Sequence, residues 1–427
     1  MSKKSTLLKR DAVIAIAAGI LGFIADYLLN LVLSRMLGTH EFGDFRVARA
    51  FAVFCGALVL LGGDRAAPRM LAEPLDRREF GVVWEYLRFY GLLGLLISVV
   101  IIAVVWLIGY IYHGGTWDPM DHHAVAIMAL AIPFMAAGAL AGRTLQSVGR
   151  TFLAAMPWRV GAPVLLLVAL VLVRFVMEQV GLYEVLWLAI LTIVVITLAQ
   201  WAMVRRHALK VIKFASEVRT PRAWLGISVP MMGVFLVTIG LAQSDLYFLE
   251  WLGAEGEVGH YAAALTSAHF IPLIQTSIIA LFAPLVARDI NSGSVQTNTA
   301  FLQGQRVMAV ALVPVILGFA LGAVPVMSLF GSTYPDAAPA LRLLAIGNGT
   351  WAMAALSALW LQYRGRGLAV MRITVITLLG DSVLNVLLIP EFGTIGAAAS
   401  SAATSTAAAA AIAWIARRPS REKDGQV

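Results

Sequence analysis

Asp26 stands in the middle of an apolar stretch, flanked at steps of three or four residues by Gly19, Gly22, Asn30 and Ser34. That spacing puts small and polar groups on one face of a helix. A carboxylate there suits two tasks: carrying a proton or sodium ion, or bonding a closely packed neighbouring helix. Arg159 is the deepest arginine, nine residues beyond Arg150. A rise of about 1.5 Å per residue places it roughly 13 Å inside its helix. A guanidinium suits a pyrophosphate, because its planar fork offers parallel N–H donors and stays charged when partly desolvated. An ion pair with Asp26 is the structural alternative. Arg46 and Arg49, at i and i+3, open the next apolar stretch near its outer end. They either snorkel to the interface or, with Asn30, receive the same anionic group.

Further along, Asp381 and Asn385 lie one helical turn apart, and Thr266, His269 and Thr276 share one helical face. An ordinary imidazole changes charge within the physiological pH range, so His269 joins Asp26 and Asp381 as an ion-coupling candidate, with hydrogen-bonded packing as the alternative. Glu85 and Arg88, beside Trp84 and Tyr86, read as an inner-interface belt with a helical ion pair. The outer cluster His113, Asp118, Asp121, His122 and His123 looks superficially like a metal site. Adjacent histidines without a fixed scaffold are usually solvated, so no metal is assigned. No serine nucleophile, carboxylate pair or Gly-rich phosphate loop stands out as enzymatic, and no cofactor is expected.

Helices that cross a bilayer must position these groups. The chain has 427 residues, 60% hydrophobic and 13% charged, against about 45–50% and 25% in ordinary soluble domains. Twelve apolar stretches are long enough to span: 12–33, 45–63, 82–111, 123–141, 152–173, 182–204, 224–244, 260–286, 307–330, 337–361, 369–389 and 395–416. At about 22 residues each, they use roughly 264 positions and leave about 163 for loops and tails, too few for a soluble catalytic module. The basic amino end resembles a signal peptide, but 12–33 is too long for a cleaved segment and carries Asp26, so a retained first helix is expected. Cys55 is the single cysteine and forms no intrachain disulfide. Eight prolines fall inside the spans; for most, simple toleration by neighbouring helices is preferred over a cavity-bordering bend.

The net charge of +8 is read through the positive-inside rule rather than as nucleic-acid binding. With the amino terminus inside, 25 of the 32 Lys/Arg fall in cytoplasmic segments and three in outer loops. Both termini are therefore expected in the cytoplasm. The most basic loop, between Arg205 and Arg222, divides the chain into two six-helix halves, 1–210 and 211–427. An internal echo supports them: Leu37-Gly38 with Glu41-Phe42-Gly43-Asp44-Phe45 returns as Leu252-Gly253 with Glu257-Val258-Gly259-His260-Tyr261. Halves with an even number of helices are parallel repeats, and such folds bind substrate between them.

Several ordered blocks resemble the polysaccharide-transporter (Wzx-like flippase) family of the multidrug/oligosaccharidyl-lipid/polysaccharide (MOP) exporter superfamily. They are Leu37-Gly38 with Glu41-Phe42-Gly43, Gly62-Gly63-Asp64-Arg65-Ala66, and Glu257-Val258-Gly259-His260-Tyr261-Ala262-Ala263-Ala264. Further on come Leu329-Phe330-Gly331 with Tyr334 and Ala338-Pro339-Ala340-Leu341-Arg342, then Leu388-Ile389-Pro390-Glu391-Phe392-Gly393 with Ile395-Gly396-Ala397-Ala398. The resemblance implies an all-α polytopic membrane protein of two helical bundles around a central cavity. It implies translocation of undecaprenyl-pyrophosphate-linked oligosaccharide to the outer leaflet of a bacterial plasma membrane. Membrane lipid, a polysaccharide polymerase and glycosyltransferases would be its partners. Two positions depart from the family pattern: Asp245-Leu246 stands where Asp-Arg is frequent, and Asp381 where Asn is frequent.

Two other functions compete: an ion-coupled drug or solute antiporter, MATE-like or major-facilitator-like, and a membrane scaffold or sugar-polymerising enzyme sharing the fold. Gly63-Asp64-Arg65 suits the major-facilitator reading, but the turn from Leu388 to Gly393 has no place in that motif set. The charge split makes the topology testable. In a Cys55→Ser background, cysteines placed at Gly115 and Ser216 should react with an impermeant thiol reagent from outside and inside, respectively. Outside labelling at both would overturn the six-plus-six division.

Overall fold

The computed structural model describes residues 3–112, 123–177, 179–209, 221–254, 256–291 and 299–417. Among them every regular element is helical: α1 (Lys3–Leu58), α2 (Gly63–Asp76), α3 (Phe80–Tyr112), α4 (Ala124–Ala129), α5 (Ile132–Ser147), α6 (Thr151–Met156), a π-helical turn (Pro157–Gly161), α7 (Ala162–Val176) and α8 (Leu182–His207). Then follow α9 (Pro221–Leu252), α10 (Glu257–Ala268), α11 (Phe270–Asn291), α12 (Thr299–Ser328), a 3₁₀ turn (Tyr334–Ala337), α13 (Ala338–Tyr363) and α14 (Gly367–Arg417). The protein is an all-α polytopic membrane protein, and each of the twelve apolar stretches falls on helix.

Nine helical runs among the described residues are long and apolar enough to cross a membrane. The difference from twelve has local causes. α1 and α14 each carry two expected spans in one run, bent at Gly38 (φ 75°) and Gly393 (φ 50°). Both backbone conformations are left-handed, where a side chain would be strained. Stretch 123–141 is divided into α4 and α5, with Pro133 in the first turn of α5. Pro157 and Pro272 likewise stand next to helix breaks, whereas Pro230, Pro284, Pro314 and Pro325 lie inside continuous helices. The basic loop after the second span is itself a helix: α2 buries Ala66, Ala67, Leu71 and Leu75 and leaves Arg69 and Asp76 exposed.

The chain forms two compact units, Met1–Gln243 with Glu255–Ala262, and Ser244–Ala254 with Ala263–Val427. The basic loop used to divide the sequence lies largely in 210–220, outside the described residues. By contact, the first unit also takes the start of α9. There Tyr90 Oη donates to Ser228 Oγ at 2.9 Å and Tyr86 Oη to Gly63 O at 2.6 Å. Trp224 stacks edge-on against Tyr86. The second unit packs Ile271, Ile278, Met308, Leu312, Ala345 and Ala352 into one cluster. α13 meets α14 so closely that a Cβ on Gly347 would come within 2.7 Å of Ala402 Cα. Small residues at contacts and bulky ones outside are the membrane pattern: Leu321 on α12 is 84% exposed.

The two copies of the Glu-x-Gly echo touch within the first unit. A Cβ on Gly43 would lie 3.0 Å from Gly259 N, and one on Gly259 would overlap the Thr39 carbonyl. Backbone there cannot yield as a flexible side chain would. Gly259→Ala should therefore lower stability by about 1–3 kcal/mol, the usual effect of overpacking. Gly91→Ala, with nothing within 4 Å of its would-be Cβ, should leave the melting temperature unchanged. Equal melting of the two purified variants would show that the contact is not tight.

Candidate functional site

Two sets of polar side chains hold the residues singled out in the sequence, one in each unit. In the first, the face of α1 running from Gly19 to Ser34 turns inward, with Gly19, Gly22, Asn30 and Ser34 buried and Asp26 half-buried. The bend at Gly38 lets the later part of α1 pair with the earlier part. Arg46 Nη1 donates to Asn30 Oδ1 at 2.7 Å. Asn30 Nδ2 donates to Asp26 O at 2.7 Å and Asp26 Oδ2 at 3.1 Å. Arg49 Nη2 lies 3.2 Å from Asp26 Oδ1. Asn30, fully buried, uses both ends of its amide in this relay. The alternative pairing of Asp26 with Arg159 does not occur. Asp26 has Arg49, and Arg159 is exposed with no hydrogen-bond or ion-pair partner among the described residues. Gly22, one turn from Asp26 on the same face, packs against Arg159: a Cβ there would lie 2.8 Å from Arg159 O. The first unit thus brings Arg46 and Arg49 to a helix face whose carboxylate is Asp26, and packs the Arg159 backbone against Gly22 of the same face.

In the second unit Asp381 and Asn385 meet as their spacing implies, Asn385 Nδ2 donating to Asp381 Oδ2 at 3.1 Å. The same amide donates to Asp245 Oδ1 at 2.8 Å. Ser244 Oγ reaches Asp381 Oδ2 at 3.2 Å, Ser400 Oγ reaches Asp381 Oδ1 at 2.9 Å, and Thr404 Oγ1 stands 3.4 Å from the same oxygen. Ser401 Oγ donates to Asp245 Oδ2 at 2.5 Å. Asp245, Asp381 and Asn385 are all buried, and Asn385 Oδ1 has no hydrogen-bond partner among the described residues. The cluster is thus two buried carboxylates bridged by one amide NH₂ group and bonded by four hydroxyl groups. His269 lies elsewhere, at the break between α10 and α11, and does not bond Asp381.

The sequence reading missed this carboxylate pair, having met Asp245 only as a departure from a family pattern. A signal existed: Ser400 with Thr404 and Ser401 with Ser405 form i, i+4 polar pairs in an otherwise alanine-rich helix. The Glu85–Arg88 ion pair does not form; Glu85 Oε2 is buried without a partner and Arg88 is exposed. Asp64, in the Gly-Asp-Arg block, is buried at the start of α2 beside Arg65 at 3.1 Å. The Arg65 guanidinium stacks over Phe235. Burial pushes the Asp64 carboxyl above the ordinary range, with Arg65 and Arg143 pulling it back. Of the outer histidine cluster only His123 is among the described residues, its Nε2 3.9 Å from Asp44 Oδ1.

A model of the family described as "Polysaccharide biosynthesis protein" matches residues 8–288. No curated protein matches the chain by sequence. Among solved structures, the chain is similar to the lipid II flippase MurJ in an inward closed conformation, with 12% identity, 97% of this chain and 88% of that one covered, and a TM-score of 0.65. It is similar to a multidrug resistance MATE family transporter of the MOP superfamily, inward-facing, with 16% identity, 94% and 97% covered, and a TM-score of 0.70. A MOP superfamily transporter from Pyrococcus furiosus gives 17% identity, 97% of both chains and 0.66. These neighbours share the fold and are transporters and flippases rather than enzymes.

The Asp26–Arg49 pair is about a third exposed on each side, so its contribution to stability is modest, about 1 kcal/mol at most. Arg49→Met should lower the melting temperature by stranding the carboxylate, and Asp26→Asn in the same protein should restore most of it. Identical melting of wild type and Arg49→Met would show that the pair contributes nothing.

Proposed function

Since the chain belongs to the polysaccharide biosynthesis protein family, we propose that it is a flippase carrying undecaprenyl-pyrophosphate-linked oligosaccharide from the inner to the outer leaflet of the bacterial plasma membrane. The observation that carries this reading is that Arg46 and Arg49 bond the α1 face that holds Asp26 while Gly22 of the same face packs against the Arg159 backbone, three arginines to one carboxylate. Their excess of two positive charges matches a pyrophosphate diester, and guanidinium forks bind phosphate oxygens in parallel. Arg159 is the free fork. Arg49 is shared: phosphate binding takes it from Asp26, which then becomes able to accept a proton.

Energy enters, in this reading, through the second cluster. Two buried carboxylates bridged by one amide cannot both stay charged without a proton or a cation between them. Asp381 and Asp245 would hold that ion, with the unpartnered Asn385 Oδ1 as a further ligand. His269, at the helix break, is a third titratable group in the same unit. The bundles 1–210 and 211–427 would be the moving halves, with both termini cytoplasmic, and glycosyltransferases and a polymerase would act before and after transport.

An ion-coupled drug antiporter is the second reading, favoured by the buried acidic pair and the MATE fold. It fits a cationic drug poorly, because the first-unit cluster carries excess positive charge. Proteoliposomes with an imposed proton or sodium gradient separate the two. Wild type should flip undecaprenyl-pyrophosphate-linked oligosaccharide, Arg159→Ala should not, and Arg159→Lys should recover only part because the fork is lost. Asp381→Asn should keep substrate binding and lose the response to the gradient. Wild-type flipping by Arg159→Ala would remove this residue from the site.

A further inference from the structure

The segment that carries Arg159 is the only π-helical one among the described residues, Pro157–Gly161, closed by Ala162 N–H on Pro157 O. Its cause is legible in the chain. Pro157 and Pro163 carry no N–H, so Leu153 O and Arg159 O lose the donors that a regular α-helix would give them. Widened turns of this kind are unfavourable in isolation and recur at functional sites, so something must hold this one. Three helices do. On α8 the fully buried Gln200 accepts Trp158 Nε1–H at 2.6 Å and donates to Ala154 O at 2.9 Å. On α5 Gly138 leaves the space that the Trp158 indole fills, and a methyl there would overlap the ring. On α1 Gly22 lies against the Arg159 backbone.

Both polar ends of the Gln200 amide are therefore committed to the Arg159 helix, one to the adjacent Trp158 and one to Ala154 on the turn that leads into the π segment. Packing alone would be served by an apolar side chain at such a position, and burying an amide is favourable only when its bonds are made. The clamp meanwhile leaves the Arg159 side chain exposed and unpaired.

We propose that Gln200 and Trp158 are positioning residues for the anion site: their hydrogen bond fixes the π turn and so fixes where the Arg159 guanidinium stands, while neither touches substrate. The proposal rests on the reading of Arg159 as a head-group ligand. A double-mutant cycle on the full chain in nanodiscs, with undecaprenyl pyrophosphate as the probe, tests both separately. Gln200→Leu should weaken binding about tenfold in the wild-type background and have no further effect in Arg159→Ala, because the two act as one unit. Trp158→Phe, which removes the indole donor together with part of the ring that Gly138 accommodates, should follow the same pattern and serves if Gln200→Leu does not fold. The same loss in both backgrounds, or none in wild type, overturns the positioning role. Wild-type binding by Arg159→Ala overturns the underlying reading of Arg159 and the positioning role with it.

Discussion

A bilayer core offers no water to a polar group, so every polar side chain inside a span must find its partner in the protein or do without. This constraint gathers the polar residues of an otherwise apolar chain into a few closed sets. Asn30 spends its whole amide on Asp26 and Arg46, and Asn385 turns one amide edge to two carboxylates. Gln200 spends its amide on Trp158 and Ala154. In each case a neutral amide organises its surroundings without adding charge. Among the described residues, the Arg159 guanidinium, Asn385 Oδ1 and Glu85 Oε2 are left without such a partner. A charge at mid-span costs about 2.5–3.5 kcal/mol on insertion scales, and no pairing in the structure offsets it for Arg159.

Closure of these sets depends on backbone punctuation. Gly38 turns α1 back so that Arg46 and Arg49 meet residues sixteen and twenty-three positions earlier. Gly22, Gly43 and Gly259 let backbones approach at distances a Cβ would forbid. Pro157 and Pro163 remove the donors that would have kept the Arg159 helix regular. The apolar bulk supplies the spans, and a few glycines and prolines decide which polar groups meet.

That division explains what could be read from the chain beforehand. The apolar stretches, the inward face of α1 and the Asp381–Asn385 step are local, governed by hydropathy and a 3.6-residue period; the last two appear as read, and the stretches fall on helix although 123–141 is divided and two pairs run together. The Asp26–Arg49 pair is not local: it needs the Gly38 bend, and a sequence shows only that a glycine is there. Asp245 and Asp381 are 136 positions apart, on α9 and α14, so no window could pair them. The residues Ser400, Ser401 and Thr404 were hidden in an alanine-rich run that reads as packing. Arg159 drew notice for its depth, whereas its π turn follows from two prolines that, taken singly, a membrane helix tolerates.

The two clusters carry opposite excess charge, and in the proposed reading that opposition is the transport mechanism in electrostatic form. The first-unit set is short of anions until a pyrophosphate arrives; the second-unit set has a surplus of carboxylate until a proton or cation arrives. Each ligand relieves the cluster that binds it, and each can bias a two-state transporter only by its differential affinity for the two states. Coupling between them is then reciprocal: an ion that favours release of the head group must itself be released more readily once the head group is bound. In that reading a chain whose sequence shows no Gly-rich phosphate loop would draw directional export from an ion gradient, the ion and the lipid-linked anion acting on one equilibrium.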